Sequence, residues 1–271
     1  MNSSLLEKIS EIPPLPQSVI EIEAMVHDDN KGFSDYKKII EKDAIITGEI
    51  LRNVNAPLYG FRREITSLQQ AISLFGIGTI RAFVLFAASK DSFRFDLCAY
   101  GMSEKDFKNV SIMHTALMLK WIVKKYPSKL MQLGPAAFMV DIGKILIAQE
   151  LKQQGKDREF SELISNGMSE EEAERQLCGT TTAEVSATIF DHWDFELDLI
   201  HIIRYCEHPA SAHGMTKELS AYLKVVRVCV NNKGQITDEL KTKALALIEE
   251  FELDKELFLS AVETVTSEQK L

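Results

Sequence analysis

The sequence predicts an all-α fold. Its 7 Pro and 13 Gly residues are few for 271 positions, and they lie between periodic apolar segments rather than inside them, which is typical of a helical chain. We find no alternating strand pattern and no internal repeat of the kind that builds solenoids. With 45% hydrophobic and 26% charged residues the chain can bury a complete core, so a globally disordered protein is excluded.

Prolines and capping residues set the helices of the first half. A proline cluster at residues 13–16 separates a short N-terminal helix from the next one, because proline donates no backbone N–H and restrains the residue before it. Residues 66–69 (TSLQ) form a capping box, and residues 103–106 (SEKD) resemble one. We predict helices over residues 17–27, 34–42, 44–54, 66–75, 77–90, 103–126 and 136–151, with a break at residues 127–135.

The second half shows the same signals. Residues 169–172 (SEEE) and 181–184 (TTAE) form capping boxes, each of which begins a helix. Composition and charge change near residues 126–135, where we expect a subdomain boundary. Further helices are predicted over residues 198–207, 217–230, 238–251 and 255–265.

The net charge limits the partners that the chain can have. It carries 31 Lys and Arg against 40 Asp and Glu, which gives a net charge of −9. Residues 1–133 hold 17 basic and 15 acidic residues, and residues 134–271 hold 14 and 25, so the acidity lies in the second half. Nucleic acids and anionic membranes both attract cationic surfaces. We therefore expect neither as a partner.

Targeting and redox signals favour a cytoplasmic protein. Residues 1–16 lack the basic and apolar regions of a secretory signal. The longest apolar run, near residues 82–88, is too short to cross a bilayer. The four cysteines, Cys98, Cys178, Cys206 and Cys229, are scattered and form no CxxC pair for zinc binding or redox work.

Common catalytic motifs are absent. The chain has no phosphate loop, no dinucleotide-binding glycine motif, no HExxH and no GxSxG. Three first-half segments, 13–16 (PPLP), 53–60 (NVNAPLYG) and 65–76 (ITSLQQAISLFG), instead resemble the conserved segments of the HDOD family. This family consists of bacterial signalling domains related to the HD superfamily of metal-dependent phosphohydrolases.

The second half continues the resemblance. Residues 140–144 (VDIGK), residues 179–185 (GTTTAEV) followed by Trp193, and residues 207–209 (EHP) are similar to HD-type segments in the same order. The resemblance implies an N-terminal helical part, a degenerate HD-like helical bundle and a C-terminal helical tail, which we place at residues 1–126, 127–232 and 233–271. It also implies bacterial signal transduction. No receiver, kinase or cyclase segment is attached, so we expect a signalling partner that acts in trans.

The metal ligands of an HD phosphohydrolase are incomplete here. Such an enzyme uses imidazole and carboxylate ligands to hold a metal that lowers the pKa of a bound water. By the resemblance, His114 matches the first His and Asp141 matches the Asp of the His-Asp pair. Val140 and Thr182 stand where further His residues are expected, and residues 225–232 contain no late Asp.

The paired-His segment keeps one of its two imidazoles. Glu207 occupies the first position and His208 the second, and no Gly-Tyr-Pro follows as it would in a cyclic-di-GMP hydrolase of the HD-GYP type. We therefore predict no catalytic residue, no metal and no other cofactor. The remnants of the HD site are His114, Asp141, Lys144, Glu207 and His208, and any metal that did bind would be held by His114, Asp141 and His208.

Each remnant also has a structural explanation. His114 lies on an apolar helix and could be a core histidine. Asp141 lies in an apolar run and needs a partner, which could be His114, Lys144 or a helix N-terminus. Lys144 could reach the surface or meet an anion, and His208 could interact with a helix C-terminus. The acidic run at residues 170–174 is predicted to be a solvated first turn.

Two classes of function remain. We expect a non-catalytic regulatory protein that binds a protein partner or a small nucleotide. The alternative is a residual metal-dependent phosphohydrolase that uses His114, Asp141 and His208. A nucleotide sensor that binds without hydrolysis is a third possibility, and thermal stabilisation by a nucleotide without turnover would reveal it.

Overall fold

The computed structural model describes residues 1–25, 28, 31–89 and 93–268. Every regular element in this part of the chain is helical, which confirms the all-α prediction. The helices are α1 Ser3–Ser10, α2 Gln17–Ala24, α3 Phe33–Ile40, α4 Ala44–Val54, α5 Leu68–Ser89, α6 Glu104–Ile122, α7 Leu130–Met139, α8 Gly143–Gln153, α9 Asp157–Ser165, α10 Glu170–Cys178, α11 Thr182–His192, α12 Leu197–Arg204, α13 Gly214–Cys229, α14 Asp238–Glu250 and α15 Lys255–Glu268. Short 3₁₀ turns lie at Pro57–Tyr59, Cys98–Tyr100, Pro127–Lys129 and Pro209–Ser211.

Several helix starts follow the capping signals of the sequence. The backbone N–H of Asp106 donates to the Ser103 hydroxyl at 3.1 Å, and the Asp106 carboxylate accepts the Ser103 N–H at 2.8 Å. Ser169 and Glu172 form the same reciprocal pair at the start of α10. Gly76, at φ 74°, interrupts α5 where the sequence predicted a helix to end. The predicted helix ends at His27 and Lys90 lie outside the described residues.

The capping box predicted at residues 66–69 is displaced by one residue. Ser67, not Thr66, precedes α5, and its hydroxyl accepts the Gln70 N–H at 3.3 Å. The Gln70 side-chain oxygen in turn accepts the Thr66 N–H at 3.2 Å. Thr66 and Ser67 are both good capping residues, and each is followed three residues later by a glutamine. The sequence alone therefore does not distinguish the two positions for the capping box.

The helix predicted over residues 136–151 begins earlier, at Leu130 inside the predicted break, and is divided into α7 and α8. A tight turn joins them, in which the Lys144 N–H donates to the Asp141 carbonyl at 3.0 Å and the Ile142 N–H to the Met139 carbonyl at 3.0 Å. Apolar residues continue through the turn, so hydrophobic periodicity does not mark it. The break matters because it places Asp141 between two helices.

Helices α5 and α7 approach each other closely at two glycines. A Cβ on Gly78 would lie 2.4 Å from the carbonyl oxygen of Met131, and a Cβ on Gly134 would lie 2.2 Å from the Thr79 hydroxyl. Pro135 lies inside α7 and has no N–H to donate back to Met131. The absence of side chains at these glycines therefore permits the close approach of α5 and α7.

The hydrophobic core continues across the predicted subdomain boundaries. Its buried members extend from Leu5 to Val265. Ring contacts join the two halves, since Phe83 on α5 lies 4.8 Å from Phe138 on α7 between ring centroids. Helix α15 packs on α6 in the same way, so the tail contacts the first half. The boundaries at residues 126 and 232 remain predictions.

Among the residues that the structure describes, two helical segments are long and apolar enough to span a membrane by length and mean hydropathy. They are Leu68–Ala88 and Pro127–Gln153, and 72% and 83% of their most apolar windows are buried inside the protein. Helix α5, which contains the first segment, packs against α7, which lies in the second. Their apolar character is therefore accounted for by the core of this fold.

We predict that Gly78→Ala lowers the free energy of unfolding by about 1–3 kcal/mol, because the new methyl group would overlap the Met131 backbone. Urea denaturation followed by circular dichroism measures the change. Gly48→Ala on α4 is the matched control, since a Cβ there meets nothing within 4 Å and should raise stability by about 0.4–1 kcal/mol. Equal effects from the two substitutions would contradict the close α5–α7 contact.

Candidate functional site

Four of the five predicted HD remnants lie close together. His114 comes from α6, Asp141 from the α7–α8 turn, Lys144 from α8 and Glu207 from the loop after α12, and all four are buried. His208 is separated from this group, since 60% of its side chain is exposed. The fold therefore gathers a charged cluster at one place but leaves the second member of the paired-His segment at the surface.

Arg227 on α13 is the centre of this cluster. Its Nε and Nη2 atoms donate to one oxygen of Asp141, Oδ1, at 3.1 and 2.9 Å. Its Nη1 atom donates to Oε1 of Glu207 at 3.3 Å. Burial alone would lower the pKa of Arg227, but Asp141 and Glu207 raise it well above its ordinary value. One guanidinium therefore pairs with two buried carboxylates.

Asp141 is ionised in this environment. Burial by itself would raise the pKa of its carboxyl, but Lys144 and Arg227 lie beside it and hold the pKa well below the ordinary range. Of the partners proposed from the sequence, Lys144 acts through its charge, and His114 lies at 3.9 Å between Nδ1 and Oδ2. The principal hydrogen-bond partner, Arg227, was not among those considered.

His114 is a buried imidazole without a hydrogen bond. Only 2% of the residue is exposed, and neither ring nitrogen has a partner among the described residues. Burial lowers its pKa to about 4, although the charge of Asp141 acts in the opposite direction. His114 is therefore neutral at pH 7 and presents two unpaired nitrogens to the interior.

Lys144 is buried and does not reach the surface, contrary to one of the two sequence-based expectations for it. Its Nζ atom lies 2.8 Å from Oε2 of Glu170 and donates to Oδ1 of Asn232 at 3.0 Å. It also lies 5.2 Å from the ring centroid of Tyr100. Burial lowers its pKa, but Asp141 and Glu170 outweigh that effect and raise it, so the ammonium stays charged.

The acidic run at residues 170–174 is not simply a solvated first turn, contrary to expectation. Glu170 pairs with Lys144, and Glu171 accepts from Nε2 of His208 at 2.6 Å. His208 thus binds a neighbouring helix rather than the end of α12, which finishes at Arg204. Glu174 is buried, with 1% of the residue exposed. The run forms one wall of the site.

The buried carboxyl group of Glu174 has a raised pKa. Its oxygens accept from the Tyr100 hydroxyl at 2.8 Å and from the Thr182 hydroxyl at 2.7 Å, and also from the Thr182 N–H. Burial and the nearby charge of Glu170 raise its pKa to about 7. Thr182, which stands where the resemblance expects a His, therefore binds a carboxylate at the start of α11.

Thr181 couples the start of α11 to the cluster. Its hydroxyl donates to Oε2 of Glu207 at 2.6 Å and accepts the Glu184 N–H at 3.4 Å. The predicted capping box is therefore half correct, because the Glu184 carboxylate accepts from Thr180 and Arg175 instead of the Thr181 N–H.

A cavity of about 530 Å³ opens beside the cluster. Its lining contains five carboxylates and four cations. The cations already have partners: Lys144 and Arg227 in the cluster, Lys233 with Asp106 at 2.9 Å, and Lys224 with the Glu207 carbonyl at 2.7 Å. The charged residues of the lining are Asp141, Glu170, Glu171, Glu174, Glu207, Lys144, Lys224, Arg227 and Lys233.

Sequence reasoning missed Arg227, Tyr100, Glu174 and Asn232. The signal for Arg227 was present, since it interrupts the apolar stretch of α13 in the segment where a late Asp was sought. An arginine in a buried stretch needs carboxylate partners. Its partners Asp141 and Glu207 lie 86 and 20 residues away, so only the fold identifies them.

The residues present do not fit a metal ion. Within the described ranges, no three His, Cys, Asp or Glu side chains are grouped so that they could hold one. The carboxylates that could contribute, Asp141 and Glu207, are bound to Arg227. Val140 is aliphatic and His208 faces Glu171, so the donor set of the HD site is not assembled.

Comparison with known proteins gives one family and several relatives of the same fold. A family model of the HDOD domain matches residues 12–209. A solved structure from Shewanella amazonensis SB2B, provisionally described as a phosphohydrolase, is 18% identical with a TM-score of 0.63, and the match covers 98% of this chain and 94% of that one. One from Marinobacter aquaeolei VT8, provisionally described as a signal transduction protein, is 18% identical with a TM-score of 0.69.

These similarities differ in extent. The Marinobacter match covers 97% of this chain but 59% of the Marinobacter protein. An uncharacterised protein of Treponema pallidum (strain Nichols) is 24% identical over 75 residues, which are 28% of this chain and 15% of the Treponema protein. At these identities the solved structures establish a common fold.

We predict that Arg227→Met lowers the free energy of unfolding by about 3–5 kcal/mol, because it leaves Asp141 and Glu207 as unbalanced buried carboxylates. The double variant Asp141→Asn/Arg227→Met removes one of those charges and should recover part of the loss. Chemical denaturation of the four proteins of this cycle gives the coupling free energy. Additive effects of the two substitutions would contradict the ion pair.

We predict that Glu174→Gln changes the pH dependence of stability. The folded-state pKa of about 7 lies above the ordinary 4.5, so the stability that protonated Glu174 contributes is complete below pH 4.5 and lost as the pH rises through 7. Glutamine stays neutral, so the free energy of unfolding of the variant, taken relative to that of the wild type, should rise by about 3 kcal/mol between pH 4 and pH 8. The titration of His114 contributes equally to the stability of both proteins, so it cancels when their unfolding free energies are subtracted. A constant difference between the unfolding free energies of the two proteins over this pH range would contradict a raised pKa at Glu174.

Proposed function

The chain belongs to the HDOD domain family, and from that premise we propose that it is a non-catalytic regulatory protein of bacterial signal transduction. It acts in the cytoplasm by binding a protein partner in trans, and it does not hydrolyse phosphoesters.

The observation that carries this proposal is the ion pair of Arg227 with Asp141 and Glu207. By the family resemblance these two carboxylates stand at positions of metal ligands in HD enzymes. Arg227 donates to them at 2.9 and 3.3 Å and supplies the positive charge there. A guanidinium cannot be deprotonated or coordinate water in the way that a metal does. The cluster is therefore suited to hold the fold together rather than to generate a hydroxide nucleophile.

The charge of the neighbouring cavity favours a protein partner over a nucleotide. Phosphate groups bind where cations or backbone N–H groups are available. In this cavity five carboxylates line the walls, and the four cations have partners of their own. A phosphate would have to displace those partners and would meet Glu170 and Glu174.

The relatives point to two activities. The provisional description of the Marinobacter protein as a signal transduction protein supports the regulatory proposal. The provisional description of the Shewanella protein as a phosphohydrolase supports the alternative, in which the chain is a residual enzyme that uses His114, Asp141 and His208. The exposed position of His208 and its contact with Glu171 weigh against that alternative.

We predict that the purified chain, supplied with Mn²⁺, Fe²⁺ or Zn²⁺ and then desalted, retains no stoichiometric metal. It should also show no metal-dependent hydrolysis of p-nitrophenyl phosphate, bis-p-nitrophenyl phosphate or nucleotides. Elemental analysis and absorbance assays measure the two outcomes. Added metal should leave the midpoint of thermal unfolding unchanged, because a ligand stabilises only a protein that binds it.

Arg227→Gln is the informative comparison variant. It frees Asp141 and Glu207 while keeping a polar side chain, so a divalent cation should stabilise this variant more than the wild type. Stoichiometric metal in the wild type, lost in Asp141→Asn together with a hydrolytic activity, would overturn the proposal in favour of the enzyme.

A further inference from the structure

A second concave surface lies away from the charged cluster. This acidic groove, of about 800 Å³, separates α2 from the loop between α11 and α12. Among the described residues, its lining includes four acidic residues and one histidine but no lysine or arginine. The residues are Pro14, Leu15, Ile20, Glu23, Ala24, His192, Trp193, Asp194, Phe195, Glu196, Leu197 and Asp198.

A buried arginine fixes the two walls of the acidic groove. Arg81 on α5 binds Glu23 of α2 through Nε at 3.0 Å, and it binds Glu196 beside α12 through Nη1 and Nη2 at 3.1 and 3.0 Å. His192 at the end of α11 lies 3.2 Å from the Ile12 carbonyl. These contacts join the N-terminal segment to the second half, so the groove is a fixed feature of the fold.

Apolar side chains are exposed along the acidic groove. Leu197 is 64% exposed and Ile20 is 46% exposed, on opposite walls. Trp193 and Phe195 lie between them and are nearly buried, at 7% each. Apolar side chains that share one groove, rather than lying singly on the surface, are typical of an interaction site.

Two carboxylates of the rim have no ion-pair partner within the described residues. Asp194 and Asp198 are exposed and take part in no salt bridge there, whereas Glu23 and Glu196 bind Arg81. The lining thus offers negative charge at the rim around an apolar floor. An anionic ligand would be repelled, and an uncharged apolar one would leave the rim carboxylates unmatched.

We propose that the acidic groove binds a basic amphipathic helix of a partner protein. Aliphatic side chains on one face of that helix would pack on Ile20, Trp193 and Leu197, and lysine or arginine at its edges would meet Asp194 and Asp198. This inference rests on the proposed function, since it names the chemistry of the protein partner. A second copy of this chain is the competing occupant.

The test uses synthetic helical peptides of about 15 residues, long enough to form a helix on binding. The first has leucine on one face and lysine on the other, the second replaces lysine by glutamate, and the third scrambles the first so that leucine is not confined to one face. Fluorescence anisotropy of labelled peptide measures affinity for the full chain. We expect the leucine–lysine peptide to bind at least about tenfold more tightly than the other two, and to weaken as salt is raised.

Substitutions in the acidic groove and at control sites show where the peptide binds. Asp194→Asn with Asp198→Asn should weaken the leucine–lysine peptide about tenfold, and asparagine suits the positive φ of 59° at residue 194. Asp238→Asn, in the first turn of α14, is the matched acidic control. Leu197→Lys should abolish binding, and Ile45→Lys, at an exposed site on α4, should not. Intrinsic fluorescence adds a direct signal, because Trp193 lines the groove.

Three outcomes would overturn the inference. They are equal binding of the lysine and glutamate peptides, equal binding by wild type and the Asp194/Asp198 variant, and no binding at all. A further outcome would also overturn it. If sedimentation at several protein concentrations shows self-association that Leu197→Lys abolishes, the groove binds a second copy of the chain. Metal-dependent hydrolysis would overturn the proposed function without affecting peptide binding, so the two failures are distinguishable.

Discussion

The pairing of Arg227 with Asp141 and Glu207 is the constraint on which the centre of the molecule depends. It joins α13 to the α7–α8 turn and to the loop after α12, and Thr181 extends it to the start of α11. Two carboxylates and a guanidinium could not remain buried separately, because each would lose its hydration without compensation. The helices that supply them must therefore meet in one arrangement. Lys144, Glu170 and Asn232 form a second set of polar contacts that closes the adjoining wall.

The contact between α5 and α7 depends on a different property, the absence of side chains. Gly78 and Gly134 leave room for the opposing helix, and Phe83 and Phe138 fill the space beside them. Because α7 leads directly into the turn that carries Asp141, this packing sets the depth of the charged cluster. Arg81, from the same helix α5, orients the walls of the acidic groove. One helix thus supports both concave surfaces without lining either of them.

The helical class and most helix starts could be predicted because they depend on residues close in sequence, such as Ser103 with Asp106 and Ser169 with Glu172. The break at Asp141 was missed because the apolar residues continue through it. The site was predicted in part: the resemblance indicated Asp141, Lys144 and Glu207, but not Arg227, whose role depends on partners far away in the chain. The acidic run at residues 170–174 was misjudged for the same reason, since Lys144 and Thr182 reach it only in the folded protein.

These contacts divide the acidic residues of the second half into ion-paired and exposed ones. Part of the acidity is held in ion pairs, since buried Asp141 and Glu207 pair with Arg227 and half-buried Glu170 pairs with Lys144. These carboxylates therefore create less field at the surface than unpaired ones would. Asp194 and Asp198 lie on the rim of the acidic groove and are exposed. An exposed carboxylate acts on an approaching partner over about one Debye length, whereas a buried ion pair acts only on its neighbours. In our proposal, recognition of a charged partner therefore belongs to the groove, whereas the charged cluster orders the interior of the second half.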